Sequence, residues 1–474
     1  MATAHLAFDF GASNGRLMLG TYDGSKIALE EIHRFPNEPV WFRGRYYLDF
    51  LRLFHEMKVG LKKVAQRGIK VHSIGIDTWG VDFGLLDKQG HLLANPVNYR
   101  DDRGRGMLEE MERDTGIGLE EIYSVTGNQY MTINSLFQLY YDAKYRPHLV
   151  EQADALLFTP DLFAYALTGE KCSEYTIAST SQMLDARRRT WARDLLERLN
   201  LPVRLLQPII MPGKMWGELK KDVRDETGLD AVPVVAVGSH DTASAVCAAP
   251  LESRSSAYLS CGTWSLLGVE LDQPMISSAS YQRSFTNEGG VENTIRYLKN
   301  ITGLWIIQQL RKKWADSDPT IGYGEISRAA QDASHITYAI DPNHESFIAP
   351  LDMEEAVVQF CKARHGQQPK TIGEISRAVY NGIVQEYRCT VEGLEETLEM
   401  EVDCINMVGG GIQDEFLCQL TADVVGRPVV AGPVEASVTG NILMQLKALG
   451  YIRDVAEGRK VVECSFALKE YRPR

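Results

Sequence analysis

Each half of the chain opens with the same short pattern: an apolar strand, a turn of small residues and a second apolar strand. The first copy reads HLAFDF-GASNGR-LMLGTY, and the second reads SSAYLSCGTWSLLGVE. Their turn glycines, Gly11 and Gly262, lie about half the chain length apart. Short apolar runs bounded by turn residues are typical of buried strands. The repeat therefore predicts two related α/β domains with a cleft between them.

The length of the chain supports this division. It has 474 residues, whereas a single hydrophobic core rarely grows beyond ~300 residues. The stretch Ala249-Pro250-Leu251 separates the first series of strands and helices from the second. We therefore predict an N-terminal domain at residues 1–249 and a C-terminal domain at residues 250–474.

Charge and cysteine usage argue against several classes of protein. The formal net charge is −13 at pH 7, whereas binding to nucleic-acid phosphates requires an excess of Lys and Arg. The eight cysteines stand singly, which favours reduced thiols over a metal site. No apolar run reaches the length of a membrane span, and the sequence starts without a basic-then-apolar leader. We expect a cytoplasmic protein that binds neither nucleic acid nor membrane.

One strand-to-helix junction carries two ionisable side chains. VPVVAV, from Val232, has the pattern of a buried strand, and ASAVCAA, from Ala243, has that of a packed helix. His240 and Asp241 lie between them. An Asp or Thr at this place can cap the helix, and the same edge of an α/β sheet is where such folds place their active sites. On these residues alone, capping and catalysis both remain open.

Three glycine-containing turns are candidates for holding phosphate groups. The turn GASNG begins two residues after Asp9, and the second hairpin turn contains Thr263. Small residues let backbone N–H groups approach an anion, and a carboxylate beside a phosphate can share a Mg²⁺ ion with it. A triple glycine, Gly409–Gly411, lies between a strand and a helix but fits neither the dinucleotide fingerprint nor the Walker motif. Each turn can equally be structural.

An aromatic residue flanked by carboxylates suggests a sugar site. The segment SIGIDTWGVDF places Trp79 between Asp77 and Asp82. An aromatic ring can cover the apolar C–H face of a sugar while carboxylates accept hydrogen bonds from its hydroxyl groups. A single Trp is also often a core residue, so both interpretations stand at this point.

Taken together and in this order, the motifs resemble those of the FGGY family of carbohydrate kinases. The strings that carry the resemblance are GIDTWGVDF, YRD, SHDTASAV, GTWSL, NEGG, LKN, GLW and AGPVEAS, and they run nearly from end to end of the chain. The resemblance implies the two-domain actin/hexokinase-like (RNase H-like) ATPase fold. It also implies ATP-dependent phosphorylation of a ketose with Mg²⁺, most closely the C1 hydroxyl of L-rhamnulose, by a monomer or homodimer.

The resemblance also implies roles for individual residues. Asp241 is expected to be the catalytic base, and Asp9 lies where the family places a carboxylate near Mg²⁺. The expected sugar-binding residues, including the two from the aromatic motif, are Trp79, Gly80, Asp82, His240, Thr242 and Asn300. The residues expected to hold ATP are Ala12, Ser13, Asn14, Gly15, Arg16, Thr263, Gln308, Gly409, Gly410 and Gly411.

Other functions remain as alternatives. The same chemistry on another ketose, of the L-fuculose or xylulose type, is open because a few polar contacts decide hydroxyl stereochemistry. A sugar- and ATP-binding regulator without catalysis is disfavoured because both Asp9 and Asp241 are present. A dehydrogenase is disfavoured because the glycine fingerprint is missing.

Overall fold

The computed structural model describes residues 2–348 and 350–474. In it the chain forms two compact units, and the first change from unit 1 to unit 2 falls after Ala248. Unit 1 also draws two segments from later in the chain, Glu270–Tyr297 and Ala436–Ser465. Unit 2 consists of Ala249–Val269, Leu298–Glu435 and Phe466–Arg474.

The strands of the described residues are labelled in chain order. They are β1 (Thr3–Phe10), β2 (Asn14–Tyr22), β3 (Ile27–Pro36), β4 (Val40–Phe42), β5 (Arg45–Tyr47), β6 (Val71–Thr78), β7 (Phe83–Leu86), β8 (Ala155–Phe158), β9 (Ser173–Glu174), β10 (Leu184–Asp185), β11 (Thr190–Trp191), β12 (Ile209–Ile210), β13 (Met215–Glu218), β14 (Pro233–Val235), β15 (Ser256–Cys261), β16 (Trp264–Leu271), β17 (Thr286–Gly289), β18 (Ile295–Thr302), β19 (Cys404–Val408), β20 (Val429–Ala431) and β21 (Lys469–Tyr471).

The α-helices are labelled in the same way. They are α1 (Phe50–Gln66), α2 (Met107–Thr115), α3 (Leu119–Thr126), α4 (Ser135–Tyr145), α5 (Pro147–Gln152), α6 (Thr159–Thr168), α7 (Tyr175–Ala178), α8 (Arg193–Arg198), α9 (Lys221–Thr227), α10 (Asp241–Ala248), α11 (Ser278–Gln282), α12 (Trp305–Ser317), α13 (Tyr323–Asp332), α14 (Met353–His365), α15 (Ile372–Leu398), α16 (Glu415–Val425), α17 (Ala436–Ala448) and α18 (Val455–Ser465). Within the described residues, none of these helices combines the length and the apolar character needed to cross a bilayer.

The main sheet of unit 1 brings three strand ends to one edge. Its strand order is β13-β14-β6-β1-β2-β3. β1 pairs antiparallel with β2 and parallel with β6, and in the second pairing Asp9 lies opposite Asp77. β14 pairs parallel with β6 on its other side. Because β1, β6 and β14 run in the same direction, the residues that follow them lie at the same edge of the sheet.

Helix α1 covers one face of this sheet. Phe8 and Phe10 of β1 are fully buried in the same core cluster as Leu53, Met57 and Leu61 of α1. The three α1 residues recur at a spacing of four, which places them on one side of the helix. Side chains alternate between the two faces of a strand, so Ala7 and Asp9 of β1 point to the opposite face.

Helix α17 covers that opposite face of the unit 1 sheet, although it forms late in the chain. It packs against β1, β6 and α10. Any Cβ at Gly440 of α17 would overlap the carbonyl group of Ser244 on α10, so the two helices meet backbone to backbone. Asn441, the next residue, donates a hydrogen bond to Asp77 at 2.6 Å.

Unit 2 contains the same strand arrangement. β15 pairs antiparallel with β16 and parallel with β19, as β1 does with β2 and β6. β20 continues the sheet in parallel beside β19, and β21 closes it in antiparallel. The hairpin turns also correspond: Gly11 donates its N–H to the Asn14 carbonyl, and Gly262 donates to the Trp264 carbonyl, both at 2.9 Å. The predicted repeat is therefore present in both units.

Candidate active site

Three aspartates of unit 1 form the centre of the site. Asp9 lies near the end of β1, Asp77 near the end of β6, and Asp241 is the first residue of α10. Burial, followed by the charge of Asp9, raises the pKa of Asp77 well above its usual range, although the hydrogen bond from Asn441 lowers it. Neighbouring buried carboxylates resist ionising together, which is why the charge of Asp9 adds to the effect of burial on Asp77.

Asp241 is the most accessible of the three carboxylates. Its side chain is 32% exposed, compared with 11% for Asp9 and a fully buried Asp77. Desolvation by the surrounding protein and the charge of Asp9 raise the pKa of Asp241 to about 7. Hydrogen bonds from Thr242 act in the opposite direction, and its hydroxyl donates to Asp241 Oδ1 at 3.1 Å. A carboxyl group with this pKa can take up a proton near neutral pH.

His240 lies beside Asp241 and faces Gly80. Its Nε2 is 3.5 Å from Asp241 Oδ1. A Cβ added at Gly80 would lie 3.5 Å from the same Nε2, in van der Waals contact, and 3.2 Å from the Thr180 hydroxyl, which is a tight approach. Burial and the charge of Arg296 hold the pKa of His240 well below its usual value. The ring is therefore neutral at physiological pH.

Trp79 and Asp82 form a buried pair next to this group. The Trp79 indole N–H donates to Asp82 Oδ2 at 2.9 Å, and the amide of Asn98 donates to the same oxygen at 3.2 Å. Trp79 is 7% exposed and Asp82 is 1% exposed. Burial raises the pKa of Asp82 to about 7. The pair fixes the chain that follows β6, and its predicted contact with a sugar stays a prediction.

The first hairpin turn of unit 1 is open at its tip and packed at its base. Ser13 is exposed, and its neighbours on either side, Ala12 and Asn14, are half-buried. Gly15 is different, because a Cβ there would overlap the ring of Phe35. Arg16, the last residue of the predicted phosphate turn, forms an ion pair with Asp9.

In unit 2, two of the residues predicted to bind nucleotide contact one another. The Thr263 hydroxyl donates to the side-chain oxygen of Gln308 at 3.2 Å. Thr263 lies in the turn between β15 and β16, and Gln308 in the first turns of α12. Asn300, predicted to contact the sugar, is half-buried on β18 and belongs to unit 2, whereas the other residues predicted to bind sugar belong to unit 1.

The triple glycine of unit 2 packs against the end of β15. A Cβ at Gly409 would lie 3.1 Å from the carbonyl oxygen of Cys261, and Gly409 also has a φ of +90°. A Cβ at Gly411 would overlap the Cys261 side chain. Gly410 has no atom of the described chain within 4 Å of its Cβ position. Close packing therefore explains Gly409 and Gly411, and Gly410 is the one whose side faces open space.

Comparison with known proteins identifies the family. Residues 4–247 match the N-terminal domain of the FGGY family of carbohydrate kinases, and residues 257–449 match its C-terminal domain. The chain belongs to the FGGY family of carbohydrate kinases. This confirms the family indicated by the motifs. As a sugar kinase, the protein has a sugar and ATP as its small-molecule partners.

Relatives of this FGGY kinase span nearly its whole length. The rhamnulokinase of Bacteroides thetaiotaomicron is 42% identical over 470 residues, which cover 99% of this chain and 95% of that protein. The rhamnulokinase of Pectobacterium atrosepticum is 40% identical over 472 residues, which cover 99% and 93%.

Solved structures confirm the predicted two-domain α/β fold. A ligand-bound xylulose kinase from Lactobacillus acidophilus superposes with a TM-score of 0.83 at 19% identity, covering 100% of this chain and 94% of that chain. The glycerol kinase of Plasmodium falciparum with ADP gives a TM-score of 0.80 at 14% identity, with the same coverage.

The carboxylates of Asp9 and Asp77 would suit a magnesium ion that also binds the phosphates of the nucleotide. Among the described residues, no group of three or more His, Cys, Asp or Glu side chains is arranged to hold a metal by itself. Mg²⁺ usually keeps several waters and takes one or two carboxylates plus substrate phosphates. Asp9 would supply one carboxylate, and the buried Oδ1 of the adjacent Asp77 has no hydrogen-bond partner in the described chain.

Glu174, which no sequence motif indicates, holds the segment that leads into Asp241. Glu174 is fully buried at the start of α7. Its Oε2 accepts the backbone N–H of Ser239 at 3.2 Å and the Thr176 hydroxyl at 2.6 Å. The Thr176 hydroxyl in turn accepts the backbone N–H of His240 at 3.1 Å. The sequence around Glu174 suggests only a helix cap, because its partner segment lies about 65 residues away.

Proposed function

We propose that this FGGY kinase transfers the γ-phosphoryl group of ATP to the C1 hydroxyl of L-rhamnulose, giving L-rhamnulose 1-phosphate and ADP in L-rhamnose catabolism. The observation that carries the proposal is the accessible Asp241, with a pKa of about 7, next to a neutral His240. The nearly full-length similarity to rhamnulokinases supports the choice of sugar.

In the proposed reaction, Asp241 is the general base. Its carboxylate accepts the C1 hydroxyl proton as the hydroxyl oxygen bonds to the γ-phosphorus, and the bond from that phosphorus to the bridging oxygen of ADP breaks. In phosphoryl transfer the protein contributes mainly positioning and charge stabilisation, and the base orients the attacking hydroxyl. General bases typically contribute ~10²–10⁴ in rate.

The proposed sugar contacts are polar groups around the base. His240 and Thr242 flank Asp241, and the lack of a side chain at Gly80 leaves room in front of the His240 ring. Trp79 and Asp82 are also assigned to the sugar site. Both are buried, so they would support the residues that contact the sugar. Asn300 is also assigned as a sugar contact, because the resemblance to the FGGY family implies this role.

The proposed nucleotide contacts are backbone and hydroxyl donors. They are assigned to Ala12, Ser13, Asn14, Gly15, Arg16, Thr263, Gln308, Gly409, Gly410 and Gly411. Asp9, with Asp77 beside it, would hold Mg²⁺. When bound, Mg²⁺ neutralises charge on the phosphates. We place the reaction in the cytoplasm, which agrees with the free state of the eight cysteines.

An ADP-release assay with L-rhamnulose, L-fuculose and xylulose tests the proposal. We expect the highest kcat/KM with L-rhamnulose, and a loss of ~10²–10⁴-fold in Asp241→Asn. Asp225→Asn is the matched control, since Asp225 is 61% exposed in a surface ion pair. A higher kcat/KM with another ketose would show that this ketose, and not L-rhamnulose, is the preferred substrate. Full activity in Asp241→Asn would show that Asp241 is not the general base. If neither the wild type nor the control variant released ADP with any of the three sugars, the alternative of a non-catalytic sugar- and ATP-binding regulator would be favoured.

A further inference from the structure

A completely buried arginine reaches the ring of the histidine beside the base. Arg296, at the start of β18, has no exposed surface. Its Nη2 lies 3.1 Å from His240 Nδ1 and 3.0 Å from Glu288 Oε2. Its Nε donates to the Gly289 carbonyl at 2.9 Å. All of these residues belong to unit 1.

The contact between Arg296 and His240 determines where the histidine carries its proton. A guanidinium group has donors only, so the ring nitrogen that faces it must be an acceptor. A neutral imidazole has one acceptor and one donor nitrogen. Since Nδ1 accepts from Arg296, the proton of the neutral ring lies on Nε2.

The same contact with Arg296 disfavours the opposite tautomer. With the proton on Nδ1, two N–H groups would face each other at 3.1 Å. The carboxylate of Glu288 is also near Nδ1, but its Oε2 lies 3.6 Å away. This distance is beyond a normal hydrogen bond. The ring also stays neutral, because burial and the Arg296 charge both oppose its protonation.

The Nε2 side of the ring faces the space next to the base. Nε2 is 3.5 Å from Asp241 Oδ1 and 3.5 Å from the position that a Cβ would take at Gly80. A donor at Nε2 therefore points to the region where the attacking sugar hydroxyl must meet Asp241.

Glu288 has its own part in this arrangement. A buried charge without a partner is strongly unfavourable, and Glu288 supplies the opposite charge to Arg296. Glu288 is 5% exposed at the end of β17, and its Oε2 forms an ion pair with the same Nη2 of Arg296 that faces Nδ1.

We propose that Arg296 and Glu288 are positioning residues that lock His240 as the Nε2–H tautomer, so that a fixed neutral donor stands beside Asp241. This donor binds an oxygen of the sugar through a lone pair and keeps the hydroxyl group next to the base. The identity of that sugar rests on the proposed function. The tautomer itself is a property of the protein without any ligand.

Nitrogen-15 NMR of the full-length, histidine-labelled protein tests the tautomer directly, with His240→Gln used to assign the signals. We expect the wild type to show the proton on Nε2 across about pH 6–8, around the ordinary histidine pKa. In the double variant Arg296→Met/Glu288→Gln, which removes both buried charges together, we expect both tautomers. Arg453→Met/Glu457→Gln is the matched control, because it removes an exposed Arg–Glu pair at the same 3.0 Å separation.

Steady-state kinetics on the same proteins tests the consequence. The sugar KM of the Arg296/Glu288 variant should rise roughly 3- to 10-fold, as expected for one lost hydrogen bond, with an unchanged KM for ATP. A proton on Nδ1 in the wild type, or one unchanged tautomer in the variant, would overturn the proposal. A changed tautomer with an unchanged sugar KM would do so as well. Since the spectra need no sugar, a wrong substrate would leave the tautomer test intact.

Discussion

Asn441 donates a hydrogen bond from its amide nitrogen to Asp77 Oδ2 at 2.6 Å, across 364 residues of sequence. The orientation of the amide is fixed, because its oxygen accepts from Gln445 at 2.7 Å. Asp77 lies opposite Asp9 in the sheet. A helix from late in the chain therefore supplies the polar partner for a buried carboxyl group at the centre of the candidate active site.

Replacing Asn441 by leucine should destabilise unit 1. The change leaves the buried Asp77 without its donor, and such a loss costs about 1–3 kcal/mol. The melting temperature should fall by roughly 2–10 °C, measured by calorimetry. Gln359→Leu is the control, since Gln359 is exposed on α14. A melting temperature that equals that of the control would contradict the role given to Asn441.

The pH dependence of kcat/KM should report the ionisation of Asp241. Desolvation and the charge of Asp9 raise the pKa of this group to about 7, and in its proposed role as general base Asp241 must be deprotonated. The rate should therefore rise with pH up to about 7 and then level off, with about a tenfold loss per pH unit on the acidic side. Initial rates in buffers of constant ionic strength measure this, and a flat profile between about pH 6 and pH 8 would argue against it.

Glu174→Gln should lower kcat without changing the KM for ATP. Oε2 of Glu174 accepts the Ser239 N–H and the Thr176 hydroxyl, and Oε1 accepts the backbone N–H of Thr176 at 2.9 Å. An amide has a single acceptor oxygen, so glutamine cannot reproduce the contacts of both oxygens. Misplacement of the base by even ~1 Å can cost ~10²-fold in rate. Glu170→Gln is the control, because Glu170 is exposed after α6. Equal kcat values in the two variants would show that the carboxylate does not hold the base.

Gly410 and Gly411 should differ in how replacement by alanine affects stability and ATP binding. Gly411→Ala should lower the melting temperature, because its Cβ overlaps Cys261, and Cys261→Ala in the same chain should restore part of the loss. Gly410→Ala meets no atom of the described chain within 4 Å, so it should keep the melting temperature and raise only the KM for ATP. Thermal melts and ATP titrations of both variants check this. An equally unstable Gly410→Ala would count against the assignment.

The local elements of the fold were largely predictable from the sequence. The predicted strand at Val232 to Val237 contains β14, Pro233–Val235, and the two predicted strand–turn–strand patterns correspond to β1 with β2 and β15 with β16. The start of one helix differs from the prediction: α10 begins at Asp241 and not near Ala243. These elements depend on apolar spacing and turn residues, which involve only neighbours along the chain.

The sequence by itself determined the strands, the glycine turns and the placement of Asp241 between a strand and a helix, because each follows from residues close together in the chain. Only the tertiary structure decided which distant side chains surround Asp241. Arg296 meets His240 across 56 residues, and Asn441 meets Asp77 across 364. Burial makes these pairings strong, since a polar group removed from water must find its partner within the protein. Which partner it finds depends on how the strands and helices pack.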